Sequence, residues 1–199
     1  MKKFLLLFVV LCSCASPKFG ASLGSDSFAG HDRKDAKLMP VLTPPTVFKE
    51  LKMLLAKMPT DAIFKGLNLS RDAPRQPIEQ VSYGVKNAFL WGIKKESDND
   101  FHLIVGDSLG QNFLTCEVTG LPDAQNANFK LFKGVRDSVL AIVGTVSGNS
   151  YIKFKPALKI SIIGSLFFDT DHAAGVVGFD QCHPKTACEL HPVIYLKRR

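Results

Sequence analysis

The segment Leu158-Lys-Ile-Ser-Ile-Ile-Gly-Ser-Leu-Phe-Phe-Asp169, with Thr170, Asp171 and His172 behind it and Cys188-Glu-Leu-His-Pro-Val-Ile-Tyr195 after a loop, carries the densest apolar patterning of the chain beyond its N-terminal run. Both arms are rich in β-branched and aromatic residues, which fit the pleated, half-buried surface of a sheet. Residues 173–187 between them collect Gly, Asp and Pro, the residues of turns. The pair reads as a β-hairpin with a long loop that closes a small barrel.

Upstream, residues 81–95 read as a long first strand through Val81, Tyr83, Val85, Phe89, Trp91 and Ile93. The alternation breaks near Gly84 and Gly92, where glycine marks a bulge or a bend. A long, bent first strand shared between two sheets is what a small Greek-key barrel requires. Residues 97–100 form a polar turn, 101–105 a second strand, 106–110 a turn and 112–118 a third strand. After a Gly/Pro/Asp/Asn loop over 119–128, residues 129–141 can be helical, with Phe129, Phe132, Val135, Val139 and Leu140 on one face. Gly134 weakens that helix. Extended structure resumes around the turn Ser147-Gly-Asn149, and the last strands fall near 158–168 and 188–196. The order β-β-β-α-β-β defines a mainly β chain with one or two helices. It is the order of the OB fold, a five-stranded, partly open Greek-key barrel.

The N-terminus reads as an export signal. Lys2 and Lys3 precede the unbroken apolar run 4–11, whose eight residues fall short of the roughly 20 that span a bilayer. Leu11-Cys-Ser-Cys14 then resembles the lipobox of bacterial lipoproteins. That resemblance implies a diacylglyceryl thioether and an acylated amine on Cys14, which together anchor a chain stably. Ala15 rather than Asp follows, so the same resemblance implies the outer membrane, facing the periplasm or the surface. Secretion after cleavage behind Ala15 is the alternative. The organisation expected is a signal peptide over 1–13, a flexible tether over 14–45, an accessory helix and connection over 46–77, and the barrel over 78–199. The tether is expected from its Ser, Gly, Ala, Lys and Asp content, and the helix from the spacing of Phe48, Leu51, Leu54 and Met58 before Pro59.

The formal charge is +7, or +5 once Lys2 and Lys3 leave with the signal; this mild excess reads as a solvated basic face. Export places the chain in an oxidising compartment. Cys182 and Cys188 flank the short stretch His183-Pro-Lys-Thr-Ala187 and are a candidate disulfide, leaving Cys116 in a strand. A zinc site from Cys182, His183 and Cys188 is the other reading, although the spacing matches no zinc motif.

Four ordered blocks carry a resemblance. They are Asp100-Phe-His-Leu-Ile-Val105 after an acidic turn, a strand with Glu117 followed by Pro122, Gly164-x-x-Phe-Phe-Asp169-x-x-His172, and Glu189-Leu-His-Pro-Val193. Over about residues 80–196 the chain resembles a family of exported bacterial OB-like domains with an Asp-Tyr-His-Leu-Val-Leu, Phe-Phe-Asp-x-x-His and Glu-Leu-His-Pro-Val pattern. After His172 it departs, with Ala-Ala-Gly-Val-Val-Gly178 where the family has Gly-Gln-x-Gly, so no role of that loop carries over. The resemblance implies a fold and export, and no activity.

His102, Asp169, His172, Glu189 and His191 form the polar constellation. Asp169 and His172 end one strand; Glu189 and His191, two apart, share a face of the next, and hairpin pairing should bring the two pairs close. Histidines with carboxylates can hold Zn²⁺ or Mn²⁺ or exchange protons. They can equally fix turns through side-chain-to-backbone bonds. No P-loop, His-Glu-x-x-His or Gly-x-Gly-x-x-Gly motif is present, and no catalytic residue is assigned. Tyr83, Phe89, Trp91 and Phe101 with Lys86, Lys94 and Lys95 are the stacking and basic residues an oligonucleotide would use. A lipid anchor outside the cytoplasm argues against nucleic acid and for a glycan or an envelope protein. Two functions stay open. One is a non-enzymatic binding or structural module at the cell envelope, needing no cofactor. The other is a metal-dependent hydrolase or nuclease built on the constellation, since a small OB barrel also serves a well-known nuclease family.

Overall fold

The structure, a computed structural model, describes residues 26–172 and 174–199. The expected signal peptide and the expected lipidation site Cys14 lie outside the described residues. In chain order the elements are α1 (Lys34–Leu38), β1 (Thr46–Glu50), α2 (Leu51–Leu55), α3 (Asp61–Lys65), a 3₁₀ turn (Pro77–Glu79), β2 (Ser82–Lys95), β3 (Phe101–Gly106), β4 (Phe113–Val118), α4 (Phe129–Val143), β5 (Ile152–Phe168) and β6 (Cys188–Arg198). The sheet runs β1-β2-β3-β4-β6-β5, and β2 also pairs with β5, so β2 to β6 close a five-stranded barrel. All barrel pairs are antiparallel except β4 with β6, which meet in parallel at Cys116 and Leu190. This is the OB-like order read from the sequence, with β1 added as an extra strand.

β2 spans 14 residues and serves both neighbours, bending where its register shifts between Leu90 and Gly92. Gly92 is required there: a Cβ on it would lie 2.3 Å from the Phe179 ring, which packs on this spot from the β5–β6 loop. Inward residues such as Val85, Leu90, Leu103, Leu114, Ile160, Leu166, Leu190 and Val193 make the core, closed by Val135 and Val139 of α4. Gly144, at φ 79°, ends α4 and donates its N–H to the Leu140 carbonyl. No helix among the described residues is long and apolar enough to cross a membrane.

Three expectations before the barrel are corrected. Residues 46–50 are not helical: Thr46, Val47 and Phe48 pair in parallel with Tyr83, Gly84 and Val85, and the helix is only Leu51–Leu55. β-branched Thr and Val favour a strand once an edge is available. The connection over 59–77 contains α3, whose Phe64 stacks on Phe168 with ring centres 4.7 Å apart. Residues 26–45, expected as tether, are a strap across the barrel. Ser27 bridges Leu121, Val41 N–H donates to Ser165 Oγ at 2.8 Å, and Arg33 is fully buried. Arg33 grips Glu79 with both terminal nitrogens, at 2.9 and 2.6 Å, and donates to the Ala73, Pro74 and Phe168 carbonyls. Polar composition hid this segment because its main anchor is a set of charge-assisted hydrogen bonds, with only the small side chains of Ala36 and Val41 buried beside it.

Candidate functional site

Strand alternation builds the site. In β3, β4 and β6 the residues Leu103, Cys116 and Leu190 point into the core, so His102, Glu117, Glu189 and His191 share the opposite face. His102 stands directly across from Glu117 in the β3–β4 register. β3 and β4 are buried at every residue: the strap lies against Thr119 and Gly120 at the end of β4, and Tyr151, Phe179 and Cys182 cover Ile104 and Phe113.

The result is an alternating chain of acids and imidazoles. His102 Nδ1 lies 3.4 Å from Glu96 Oε1 and 2.9 Å from Glu117 Oε1; His191 Nδ1 lies 2.8 Å from Glu117 Oε2 and 3.0 Å from Glu189 Oε1. His191 Nε2 is 3.3 Å from Asp100 Oδ2, an ion-pair contact without hydrogen-bond geometry. Asp100 Oδ1 accepts from the Gly120 N–H at 2.6 Å.

Burial and charge pull these groups apart. Burial works against ionised Glu117, but His191 and His102 outweigh it and hold the carboxyl well below its usual range. Burial likewise opposes a charged His191, and Glu117, Asp100 and Glu189 outweigh it and keep the ring protonated well above its ordinary range. Glu189 is pushed up to about 8, first by burial and then by Glu117 beside it. Asp100 rises to about 6, chiefly by burial, with His191 pulling the other way. At neutral pH a fixed Glu117 carboxylate therefore sits between two histidines, with a protonated acid at Glu189.

Above this network opens a polar cleft of about 520 Å³. Its walls are the β2–β3 loop with the end of β2, the start of the β5–β6 loop, and the strap; Glu117 reaches it from below. Lys37 of α1 enters from the strap. Burial works against its charge, but Glu117, Glu189, Asp100 and Asp98 outweigh that and raise it above its ordinary value. Lys37 makes no side-chain hydrogen bond among the described residues. Arg71 pairs with Asp32 and Lys94 with Glu96 at the cleft wall.

The predicted constellation is thus divided. His102, Glu189 and His191 belong to the buried network. Asp169 and His172 line the cleft, hydrogen-bonded to each other, and neither bonds Glu189 or His191. The Asp169 hydrogen bond raises half-exposed His172 to about 9. Asp100, Glu117, Glu96 and Lys37 belong to the network or line the cleft, and the constellation omitted them. The signal for Glu117 was the short turn 106–112, which sets the hairpin register and puts Glu117 opposite His102.

Two trios offer ligand atoms within 4.8 Å of one another: Glu96, His102 and Glu117 at the cleft wall, and Asp100, Glu117 and His191 in the interior. The sulfur-based readings do not hold. Cys182 and Cys188 are free thiols in different surroundings, Cys182 packed with Ile104 and Phe113, Cys188 with its Sγ 3.5 Å from the Pro59 carbonyl. Both His183 nitrogens face backbone carbonyls, Val177 at 2.9 Å and Asp180 at 3.0 Å, which fixes the loop. Gly106-Asp-Ser-Leu-Gly110 has the spacing of a nucleophile elbow, yet it joins two strands, and Asp107 accepts the Leu109 and Gln111 N–H groups there. The proposed stacking residues are dispersed: Phe101 is buried under Arg136, Trp91 packs edge-on to Phe113, and Tyr83 leans on Phe48.

Comparison with models of protein families, with curated proteins and with solved structures gives no match, so the geometry of the cleft carries the functional reading.

Proposed function

We propose that the protein is a cell-envelope lipoprotein whose OB-like barrel is a binding module, with a charged saccharide as the ligand of the cleft. The position of the cleft carries this reading. It opens between the loop joining the first two barrel strands and the loop joining the last two, beside β3 and β4. OB barrels hold oligosaccharides and oligonucleotides at that place. Its volume falls within the roughly 300–1,000 Å³ of small-molecule sites.

The lining separates the two ligand classes. An oligonucleotide asks for a basic groove with stacking aromatics. Among the described residues lining the cleft there is no Phe, Tyr or Trp, and Lys37, Arg71 and Lys94 alternate with Asp98, Glu117 and Asp171. Such a surface matches hydroxyls and charges of both signs, and an exported, anchored chain meets glycans. The fold supplies the place and the side chains supply the selectivity.

A panel of neutral, uronic-acid and amino-sugar oligosaccharides tests this by thermal shift. A ligand at about 100 times its Kd stabilises by about 2.7 kcal/mol, and for a chain of this size that raises Tm by roughly 5–10 °C. Charged members are expected to give the shift, and Lys37→Met and Asp171→Asn to remove it. A panel without any shift, or a shift untouched by both substitutions, overturns the reading.

A further inference from the structure

At the cleft wall one ring nitrogen faces two carboxylates. His102 Nδ1 is 2.9 Å from Glu117 Oε1 and 3.4 Å from Glu96 Oε1, and the Lys94 ammonium is 2.8 Å from the same Glu96 oxygen. Only the Glu117 contact has hydrogen-bond geometry, so a hydrogen on Nδ1 serves that oxygen and leaves the Glu96 oxygen without one from this ring. His102 is 2% exposed, and its Nε2 has no hydrogen-bond partner. With the hydrogen on Nδ1, a buried Nε2 lone pair goes unsatisfied. With the hydrogen on Nε2, the Nδ1 lone pair points at carboxylate oxygens. A cation held between Nδ1 and the two oxygens removes the repulsion of the second arrangement, while Nε2 lacks a partner among the described residues in either.

The separations suit a metal ion. Bonds of about 2.0–2.2 Å meeting at roughly 90–110° place neighbouring ligand atoms about 2.9–3.5 Å apart. Both measured separations from His102 already lie in that interval, and all three ligand atoms fall within 4.8 Å. One neutral imidazole and two carboxylates carry the charge that balances a divalent ion, and the set is one used for Zn²⁺ and Mn²⁺. Orientation comes from below: the other Glu117 oxygen is held by His191, which Glu189 holds in turn. Access comes from above, because Glu96 and Glu117 both line the cleft. The interior trio of Asp100, Glu117 and His191 has no such opening; only Glu117 reaches the cleft.

We propose that Glu96, His102 and Glu117 form a divalent-cation site of the Zn²⁺/Mn²⁺ class, open toward the cleft, and that Lys94 is the counter-ion the metal displaces. This goes beyond the saccharide reading and shares only the cleft with it.

Titration of the purified, EDTA-treated and desalted protein with MnCl₂ and ZnCl₂ tests the site, read by calorimetry and by loss of the free Mn²⁺ electron paramagnetic signal. One equivalent is expected to bind. Glu96→Gln is expected to weaken it about tenfold or more, and Lys94→Met to strengthen it, since a competing ammonium is gone. Circular dichroism confirms that both variants, each at a partly exposed position, keep the fold. Absence of binding at millimolar metal, an unchanged isotherm for Glu96→Gln, or weaker binding by Lys94→Met each overturns the proposal. The saccharide panel run in EDTA and the metal titration run without saccharide fail independently, so the two readings stay distinguishable.

Discussion

Replacing Arg33 with Met measures how firmly the strap is held. Its guanidinium makes five hydrogen bonds, two to Glu79 and one each to the Ala73, Pro74 and Phe168 carbonyls, and neither partner of the ion pair is exposed. Arg33→Met leaves the Glu79 carboxylate buried with only the Gln76 and Phe168 N–H groups, at 2.7 and 2.8 Å. Breaking a buried pair from one side costs about 3–5 kcal/mol, a large part of the roughly 5–15 kcal/mol that stabilises a whole domain. At about 2–4 °C per kcal/mol for this size, Tm falls by roughly 6–20 °C. Urea denaturation followed by tryptophan fluorescence at Trp91 gives the free energy directly. Adding Glu79→Gln to Arg33→Met should recover part of the loss, because the stranded group is then neutral. Arg71→Met is the control: its pair with Asp32 lies at the surface, where the Arg71 side chain is 76% exposed, and the loss should be far smaller. A cost for Arg33→Met below about 1 kcal/mol, or one equal to that of Arg71→Met, would refute the claim that this pair fixes the strap.

Three further outcomes follow from the same geometry. His172 is raised to about 9 by Asp169, so its pairing contributes stability that is fully present below its ordinary 6.5 and is lost as pH rises through about 9; because the ring is half exposed, screening keeps the contribution small. An NMR titration of the His172 ring should show that midpoint, and Asp169→Asn should return it toward 6.5; an unmoved midpoint contradicts the pairing. Gly92→Ala should destabilise by about 1–3 kcal/mol, since the new Cβ meets the Phe179 ring, and a neutral result would mean the β5–β6 loop does not pack there. Palmitate labelling in a bacterial host tests the anchor: label is expected on the natural sequence and absent from Cys14→Ala, and a labelled Cys14→Ala protein would rule out lipidation at that cysteine.

The barrel was legible because its strands carry their own pattern. Leu103 and Val105, or Leu114, Cys116 and Val118, alternate as an inward face must, whereas β2 changes phase between Val85 and Ala88 and again between Leu90 and Gly92, where Gly92 marks the bend. β1 was not, because Phe48, Leu51, Leu54 and Met58 satisfy helical spacing while only the parallel edge of β2 makes 46–50 extended. The strap was invisible for a different reason: its anchor is one arginine whose four partner residues are distant in sequence. The site divides along the same line. Glu189 and His191 could be grouped from strand periodicity, whereas His102 joins them through Glu117 of β4 between them. Asp100 and Lys37 join them only through the loop and the strap that the fold lays over that face. Asp169 and His172 looked like partners of Glu189 and His191, but Phe167, not Asp169, is the residue paired across from Glu189.

The most direct test of the cleft is an amide NMR map of the metal-free protein titrated with the saccharide that gives the largest thermal shift. Binding in the cleft predicts that the signals of residues 94–98, Glu117 and 169–172 move together and saturate with one dissociation constant. Movement confined instead to the groove lined by Leu55, Met58 and Phe113, with the cleft signals still, would contradict it.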